Sequence, residues 1–208
     1  GSMQVGDYGN DIYSMPLTAD LNIEIGRSDA FRALSLTKNL PGSFFQFYPD
    51  KPLMLSLDLE GNIGDLQLCD GRVSLDSAFD FAFSGEAKNI TDPLSSRAVL
   101  RLTGLMDNTD FIKMSMDSVG QQILMPDHIL CSAELYYVPD SLLGLLSLES
   151  SVGALEMSME YCLSRQYYSA VLSADAINLR SVFPLQSIGV VSLQAEIDGV
   201  GWDFMEPI

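Results

Sequence analysis

The stretch LMLSLDLE at residues 53–60 decides the fold. Leucines occupy every second position of it: Leu53, Leu55, Leu57 and Leu59. Mainly polar residues alternate with them, among them Ser56, Asp58 and Glu60. Because successive side chains of a β-strand point to opposite faces, this period of two predicts a strand that is apolar on one face and polar on the other.

The same alternation recurs along the chain, so the sequence predicts an all-β protein with one or two short helices. The further apolar runs are Leu66 and Leu68; Phe79, Phe81 and Phe83; Leu155, Met157 and Met159; and Leu193, Ala195 and Ile197. Strands of this kind build a long antiparallel sheet with one continuous apolar face. The function depends on what that face covers or binds.

Strand and helix boundaries follow from the alternation and from turn residues. We predict strands at 17–25, 53–60, 65–69, 72–77, 79–84, 97–102, 129–138, 142–148, 154–163, 167–174 and 190–199. Short helical stretches are predicted at 30–40 and, capped by Thr109 and Asp110, at 111–122. Asp70 and Gly71 are predicted to form a hairpin turn, because both residues tolerate positive φ.

The predicted organisation has three parts behind residues 1–3, which resemble a cloning remnant. Residues 4–52 form an N-terminal strand and short helix, 53–124 a first β-meander with a short helix, and 125–208 a second β-meander. A faint repeat supports the division, since the Pro-Asp pairs ending at Asp50 and Asp127 lie 127 − 50 = 77 residues apart. At that offset Leu66 and Leu68 align with Leu143 and Leu145.

The charge of the chain restricts its partners. The net charge is −17, from 28 acidic and 11 basic residues. Binding to nucleic acid relies on Lys and Arg that displace counterions from phosphates, so we expect no nucleic-acid partner. Attraction to an anionic membrane is disfavoured for the same reason. Carboxylates on the wet faces of strands serve solubility and edge protection, with calcium binding as the alternative.

The sequence contains no positive sign of an enzyme, a metal centre or a cofactor. His128 is the one histidine, and no G-x-S-x-G stretch is present. The three cysteines, Cys69, Cys131 and Cys162, are widely spaced and form no C-x-x-C motif. We expect them to be ordinary strand residues, although one disulfide in an oxidising compartment remains an alternative.

Several phrases of the sequence resemble one family. Residues 57–68 (LDLEGNIGDLQL) have a strand, a glycine, a short gap, an aspartate and a Leu-x-Leu. Residues 83–93 (FSGEAKNITDP) follow with a glycine, Asn-hydrophobe and Asp-Pro. Residues 167–179 (YYSAVLSADAINL) and 188–202 (IGVVSLQAEIDGVGW) complete the series. In order and spacing these phrases are similar to a middle segment of AsmA-like and TamB-like proteins of Bacteroides-type bacteria.

The resemblance implies a fold, a location and a role. The fold is a curved sheet that forms an open apolar groove, a β-taco. The parent protein would be anchored in the inner membrane of a Gram-negative bacterium and cross the periplasm. Its role would be outer-membrane biogenesis, by conducting the acyl chains of phospholipids between the membranes or by helping an Omp85-class barrel. The candidate lipid-facing residues are Leu55, Leu57, Leu59, Leu66, Leu68, Phe79, Phe81, Phe83, Leu155, Met157, Met159, Leu193 and Ile197.

Two other interpretations stay open at this point. The chain could be a scaffold that assists the assembly of outer-membrane barrels by offering sheet edges to their strands. Alternatively, the apolar face could be the core of a closed β-sandwich with a binding or adhesion role, because periodicity alone does not separate a core from a groove. In isolation, a segment with an open groove is also expected to form a homodimer that covers the groove.

Overall fold

The computed structural model of the protein describes residues 1–5, 15–34, 48–110, 124–183 and 188–201. Most of this is β-structure. The strands are β1 (Ser2–Val5), β2 (Leu17–Ile25), β3 (Leu53–Gly61), β4 (Leu66–Leu75), β5 (Phe79–Lys88), β6 (Arg97–Met106), β7 (Ile129–Val138), β8 (Ser141–Ser150), β9 (Gly153–Cys162), β10 (Tyr167–Asn178) and β11 (Val190–Val200). Two short helices accompany them, α1 (Arg27–Leu34) and α2 (Leu179–Val182).

All the strands belong to one antiparallel sheet, in which their spatial order is the same as their order in the chain. Each strand therefore pairs with its neighbours in sequence, and the sheet is a continuous meander. This confirms the predicted fold class, an all-β protein with an open, curved antiparallel sheet. The sheet also crosses the predicted boundary between residues 124 and 125, because β6 pairs with β7 from Ala98 opposite Tyr137 to Met106 opposite Ile129.

The predicted hairpin turn at Asp70 and Gly71 is wrong. Residues 66–75 form one strand, β4, and its pairing with β3 shifts by one residue beside Asp58. Such a shift marks a β-bulge, in which an extra residue bends the strand without ending it. The turn lies further on, where Ser77 has a φ of 65° and the amide of Ala78 donates to the carbonyl of Leu75 at 2.9 Å.

Several other boundaries differ from the prediction in length. β5 continues to Lys88 and β6 to Met106, several residues beyond the predicted ends. Helix α1 begins at Arg27, earlier than predicted. Residues 1–3 are not a loose end in the structure, because Ser2 and Met3 pair with Asp20 and Ala19 in β2. The helix predicted at 111–122 lies outside the described residues.

The two ends of the strands differ in how they are connected. Because the sheet is a meander, alternate connections leave from the same side. The connections from β2 to β3, from β6 to β7 and from β10 to β11 leave the sheet at one side, which we name the helical edge because it carries α1 and α2. The connections 62–65, 89–96, 139–140 and 163–166 lie at the opposite side, which we name the turn edge.

The buried core is small and lies at the helical edge. Ala30 of α1 and Tyr48 pack with Leu75 and Ala78 of the β4–β5 hairpin, and each of the four is less than a tenth exposed. The rings of Phe31 and Tyr48 meet edge to face with centroids 5.4 Å apart. This cluster fixes α1 over one end of β4 and β5.

Hydrogen bonds join the connections along the helical edge. The amides of Asp107 and Asn108 donate to the carbonyl of Ala78, at 2.8 and 3.1 Å. Further along, the amide of Leu124 donates to the carbonyl of Val182 in α2 at 2.8 Å. Among the described residues, the connections at the helical edge are therefore joined to one another by hydrogen bonds, whereas those at the turn edge are short loops.

Candidate functional site

The pairing register assigns every residue of the sheet to a face, because directly opposed residues in antiparallel strands point to the same side. One line across β2–β11 consists of Leu21, Leu57, Gly71, Phe83, Leu102, Ala133, Leu146, Met157, Leu172 and Ala195. We name the side of the sheet that carries this line the apolar face.

Two neighbouring lines have the same character. One contains Ala19, Leu59, Leu68, Gly85, Leu100, Leu135, Gly144, Met159, Ala170 and Ile197. The other contains Ile23, Leu55, Val73, Phe81, Gly104, Cys131, Leu148, Leu155, Ala174 and Leu193. None of the residues in the three lines is charged.

The structure places all the candidate groove residues together on the apolar face. Those not in the three lines are Leu66 and Phe79, which lie beside them towards the turn edge and the helical edge respectively. Sequence reasoning missed much of β6, β7, β8 and β10. Residues such as Leu102, Leu146 and Leu172 lie on the same face and extend it across the whole sheet. The alternation of apolar residues in β6, β7 and β10 could have identified them. In β8 the alternation is hidden, because leucines lie on both faces of the strand.

Aromatic rings lie over three of the glycines on the apolar face. A Cβ built at Gly71 would overlap the ring of Phe83 on the next strand, and one at Gly104 would overlap the ring of Phe81 and the carbonyl oxygen of Asp80. At Gly199 the overlap would be with the ring of Tyr168. Each ring therefore fills the space over a position without a side chain, so that the apolar surface has no gap there.

The opposite face of the sheet is mainly polar. Arg101 lies opposite Glu134 with 3.6 Å between Nε and Oε1, and Arg72 pairs with Asp80. Leu143 and Leu145 also lie on this face, where they are 38% and 41% exposed. Leu66 and Leu68 lie on the apolar face, so the predicted repeat offset aligns residues of opposite faces and does not describe the structure.

The apolar face is not a closed core. Among the described residues, the buried apolar side chains are Ala30, Tyr48, Leu75, Ala78, Ile129 and Ala174, most of them near the helical edge. In the middle of the face, Leu100 is 42% exposed and Leu135 39%. A β-sandwich would bury such residues against a second sheet. The described part of the chain forms a single sheet, so the sandwich interpretation loses its structural basis.

Small residues create a depression in the apolar face towards the turn edge. Gly85, Ala87 and Ala98 form its floor, and larger side chains such as Leu68 and Tyr137 surround it. The depression has a volume of about 270 Å³. Along the line of strands the face is much longer, since the nine spacings from β2 to β11 span roughly 43 Å at about 4.8 Å each. We name this elongated apolar surface, together with its depression, the apolar trough.

The cysteines are free thiols at three different places. Cys131 lies on the apolar face, where burial raises the pKa of its thiol. Cys162 lies on the polar face, with Sγ 3.5 Å from Oδ2 of Asp140. Cys69 is exposed beside the bulge of β4, and desolvation together with the nearby Glu60 and Asp58 raises the pKa of its thiol.

Other chemically active residues form no assembled site. His128 is exposed at the start of β7, where its Nδ1 contacts Oδ1 of Asp107. No cluster of three or more His, Cys, Asp or Glu side chains that could hold a metal ion occurs within residues 1–5, 15–34, 48–110, 124–183 and 188–201. In those same ranges no helix has the length and apolarity to cross a membrane.

The trough is thus the most distinctive surface of the molecule. Comparison with protein-family models, with curated proteins and with solved structures finds no match to this chain.

Proposed function

We propose that the apolar face binds acyl chains of phospholipids and that the chain is a segment of a TamB-like lipid conduit. The observation that carries this proposal is the apolar face, which extends over ten strands of one sheet and over which the described residues place no second layer. Exposed apolar surfaces that are continuous over many strands are rare on soluble proteins, and they normally mark a binding site. Burying such surface against hydrocarbon is favourable by roughly 25 cal/mol per Å².

The chemistry of the face suits a hydrocarbon chain of variable structure. Met157 and Met159 are flexible and polarizable, and they adapt to irregular apolar partners. The three lines of the face provide no charged anchor for a headgroup, so recognition would depend on hydrophobicity alone. We therefore expect broad selectivity for acyl chains and weak selectivity for headgroups.

The resemblance adds a biological setting to this proposal. It implies a periplasmic position, a parent protein anchored in the inner membrane, and a contribution to outer-membrane biogenesis together with an Omp85-class barrel. The groove would then conduct phospholipid between the two membranes. In this proposal the chain is a binding protein without catalytic activity.

A second candidate function has one observation in its favour. β11 is an edge strand of eleven residues and pairs on one side only within the described sheet. Such an edge can accept a further strand through main-chain hydrogen bonds. A scaffold for nascent outer-membrane barrel strands would use this edge, and its apolar face would not need to hold lipid.

The first experiment is native mass spectrometry of the purified chain, followed by organic extraction and lipid analysis. The conduit predicts phospholipid or fatty acid in near-stoichiometric amounts. An apo mass that persists after incubation with phospholipid vesicles would overturn the proposal and favour the scaffold.

Alkylation of the native cysteines then locates the bound lipid. Cys131 lies on the apolar face and Cys162 on the polar face, so the second thiol is an internal control. Bound phospholipid should slow the reaction of Cys131 with a maleimide at least tenfold and leave Cys162 unchanged. Equal protection of both thiols would indicate aggregation, and protection of neither would place the lipid elsewhere; both results contradict the proposal.

A further inference from the structure

The two sides of the apolar face carry different residues. Towards the helical edge, the last line of the face is wholly apolar across β3–β7. Its residues are Leu53, Leu75, Phe79, Met106 and Ile129. Towards the turn edge, the last line contains three tyrosines across β5–β10, and we name it the tyrosine line. Its residues are Ala87, Ala98, Tyr137, Leu142, Tyr161 and Tyr168.

The side of the face towards the helical edge is closed. Leu75 is fully buried in the cluster that holds α1 against the sheet, and Leu53 and Phe79 pack against that cluster. Further along the sheet, Ile129 is 8% exposed and Ala174 6%. A polar group of a ligand placed at this side would lose its water among apolar side chains, which is unfavourable.

The side of the face towards the turn edge is open. The depression in the apolar face lies at the tyrosine line, with Ala87 and Ala98 in its floor and Tyr137 at its rim. Tyr137 and Tyr161 are half-buried. Tyrosine combines an apolar ring with a polar hydroxyl group, so it is enriched where hydrocarbon meets water. The tyrosine line is therefore suited to the boundary between the acyl chains and the polar part of a lipid.

The width of the face suits an acyl chain that starts at the tyrosine line. Tyr137 and Ile129 lie near the two ends of β7, roughly 27 Å apart at about 3.4 Å per residue. One leaflet of a bilayer supplies half of a hydrocarbon core of about 30 Å, so an acyl chain spans roughly 15 Å. A chain laid along β7 from Tyr137 would thus end on apolar side chains before it reaches the closed side.

We infer that a bound phospholipid has one orientation on this face, with its ester and phosphate groups at the tyrosine line and its acyl chains along the strands towards the helical edge. The hydroxyl groups of Tyr137 and Tyr161 donate to oxygens that all phospholipids share. They therefore set the orientation of the lipid and do not select among headgroups. This inference rests on the proposed function, because it requires that the apolar face binds phospholipid.

Fluorescence quenching at two sites on β7 tests the orientation. Cys131, as the single thiol after Cys69→Ser and Cys162→Ser, carries a bimane label far from the tyrosine line. Leu135→Cys, in a background that also has Cys131→Ala, carries the label close to it. Both sites lie on the apolar face. The quencher is phosphatidylcholine with a nitroxide on one acyl chain, either near the ester or near the methyl end.

The label at position 135 should be quenched about twofold more by the nitroxide near the ester, and the label at position 131 by the nitroxide near the methyl end, because the sites are roughly 14 Å apart along the strand. Equal or reversed quenching by retained lipid would overturn the inference and leave the proposed function standing. If organic extraction finds no retained phospholipid, the proposed function and the inference both fail.

Removal of the hydroxyl groups tests the role of the tyrosines. Tyr137→Phe with Tyr161→Phe keeps both rings, and it should raise the Kd for phosphatidylcholine about fivefold. It should also make the two nitroxide lipids quench each label equally. The matched control is Tyr136→Phe with Tyr167→Phe, two tyrosines on the polar face, which should change neither result. Wild-type quenching in the first variant would assign the tyrosine line to contacts with a protein and overturn the inference.

Discussion

The ring of Phe83 on β5 covers Gly71 on β4, so one strand fills the position at which its neighbour has no side chain. The same relationship joins Phe81 to Gly104 and Tyr168 to Gly199. Aromatic residues opposite glycine are a known device for stabilising sheets. On this molecule they also keep the apolar face continuous, and the described residues place no second layer over that face.

Gly71→Ala should destabilise the fold by about 1–3 kcal/mol, because the added methyl group must displace the ring of Phe83 from a packed position. The measurement is urea unfolding followed by circular dichroism. The matched control is Gly144→Ala on the same face. There a Cβ would lie 3.8 Å from Cδ1 of Leu135 and 3.9 Å from Cε of Met159, which is ordinary contact.

The control should be neutral or stabilising by up to about 1 kcal/mol, since glycine in a strand interior is less favourable than alanine. If both variants lose stability equally, the ring over Gly71 has no special role.

Leu146→Asp should reduce phospholipid binding at least tenfold, because it places a carboxylate in the middle line of the apolar face. Leu145→Asp is the matched control, with the same chemical change one residue away on the polar face, where Leu145 is 41% exposed. It should bind as the wild type does. Binding is measured by lipid extraction from variants whose circular dichroism matches that of the wild type.

A second pair of variants tests the same face through an aromatic position. Phe81→Asp should abolish binding, and Ala82→Asp on the opposite face of β5 should not. Unchanged binding by a folded Phe81→Asp variant would show that the lipid does not contact this face.

Thr109→Val should cost about 1–3 kcal/mol, because it removes a buried hydroxyl group together with its hydrogen bonds to Asp127 and to the carbonyl of Pro126. Thr109 is fully buried, with Oγ1 3.1 Å from Oδ1 of Asp127 and 3.2 Å from the carbonyl oxygen of Pro126. Thr109→Ser keeps the hydroxyl group and should cost less than Thr109→Val in the same urea titration. Equal losses would assign the effect to packing of the methyl group.

Asp140 makes the turn edge sensitive to acid. Its carboxylate accepts hydrogen bonds from the hydroxyl of Ser164 at 2.6 Å and from the amide of Ser164 at 2.5 Å. These bonds lower the pKa of Asp140. A carboxyl group whose pKa is depressed by folding stabilises the fold above its unfolded pKa of roughly 3.9 and loses that contribution as pH falls through the folded pKa.

Asp140→Asn should therefore weaken the dependence of stability on pH below about 4, where the wild type loses the contribution of the carboxylate. Asparagine also tolerates the positive φ of 71° at this position, so the backbone of the turn is kept. Ser164→Ala removes a donor from the same group and should act in the same direction. The measurement is the thermal unfolding midpoint between pH 2 and 7, and superimposable curves for all three proteins would contradict the prediction.

Much of the fold could be predicted from the alternation of residues. Runs such as 53–60 and 155–159 fix both the strand and its faces, because only one register keeps leucine and methionine together. The Asp70-Gly71 pair was misread because Asp-Gly suits a hairpin turn as well as a bulge. In the structure Gly71 is required by the ring of Phe83 on the next strand, a contact between strands that local sequence does not contain.

The structure of the connections at the helical edge and the turn edge was not predictable in the same way. The alternation of residues predicts which face of the sheet each side chain occupies, but it does not predict how the connections pack. The packing at the helical edge depends on tertiary contacts such as that of Ala30 with Leu75. The predicted repeat was wrong because it aligned Leu143 and Leu145 with leucines of the opposite face. In β8 leucine occurs on both faces, so the strand has no period of two that could reveal which face each leucine occupies. That the described residues put no second layer over the apolar face was not predictable either, since a buried core and an exposed trough have the same sequence pattern.

The meander has a consequence for how such a molecule can change in size. Since each strand bonds only to the strands before and after it in the chain, one hairpin can be removed or added without altering which way the remaining side chains face. Each such step would change the trough by two strand spacings, roughly 10 Å. Duplication of a hairpin in the gene could therefore lengthen the trough in regular increments, and the strands already present would keep their pairing and their faces.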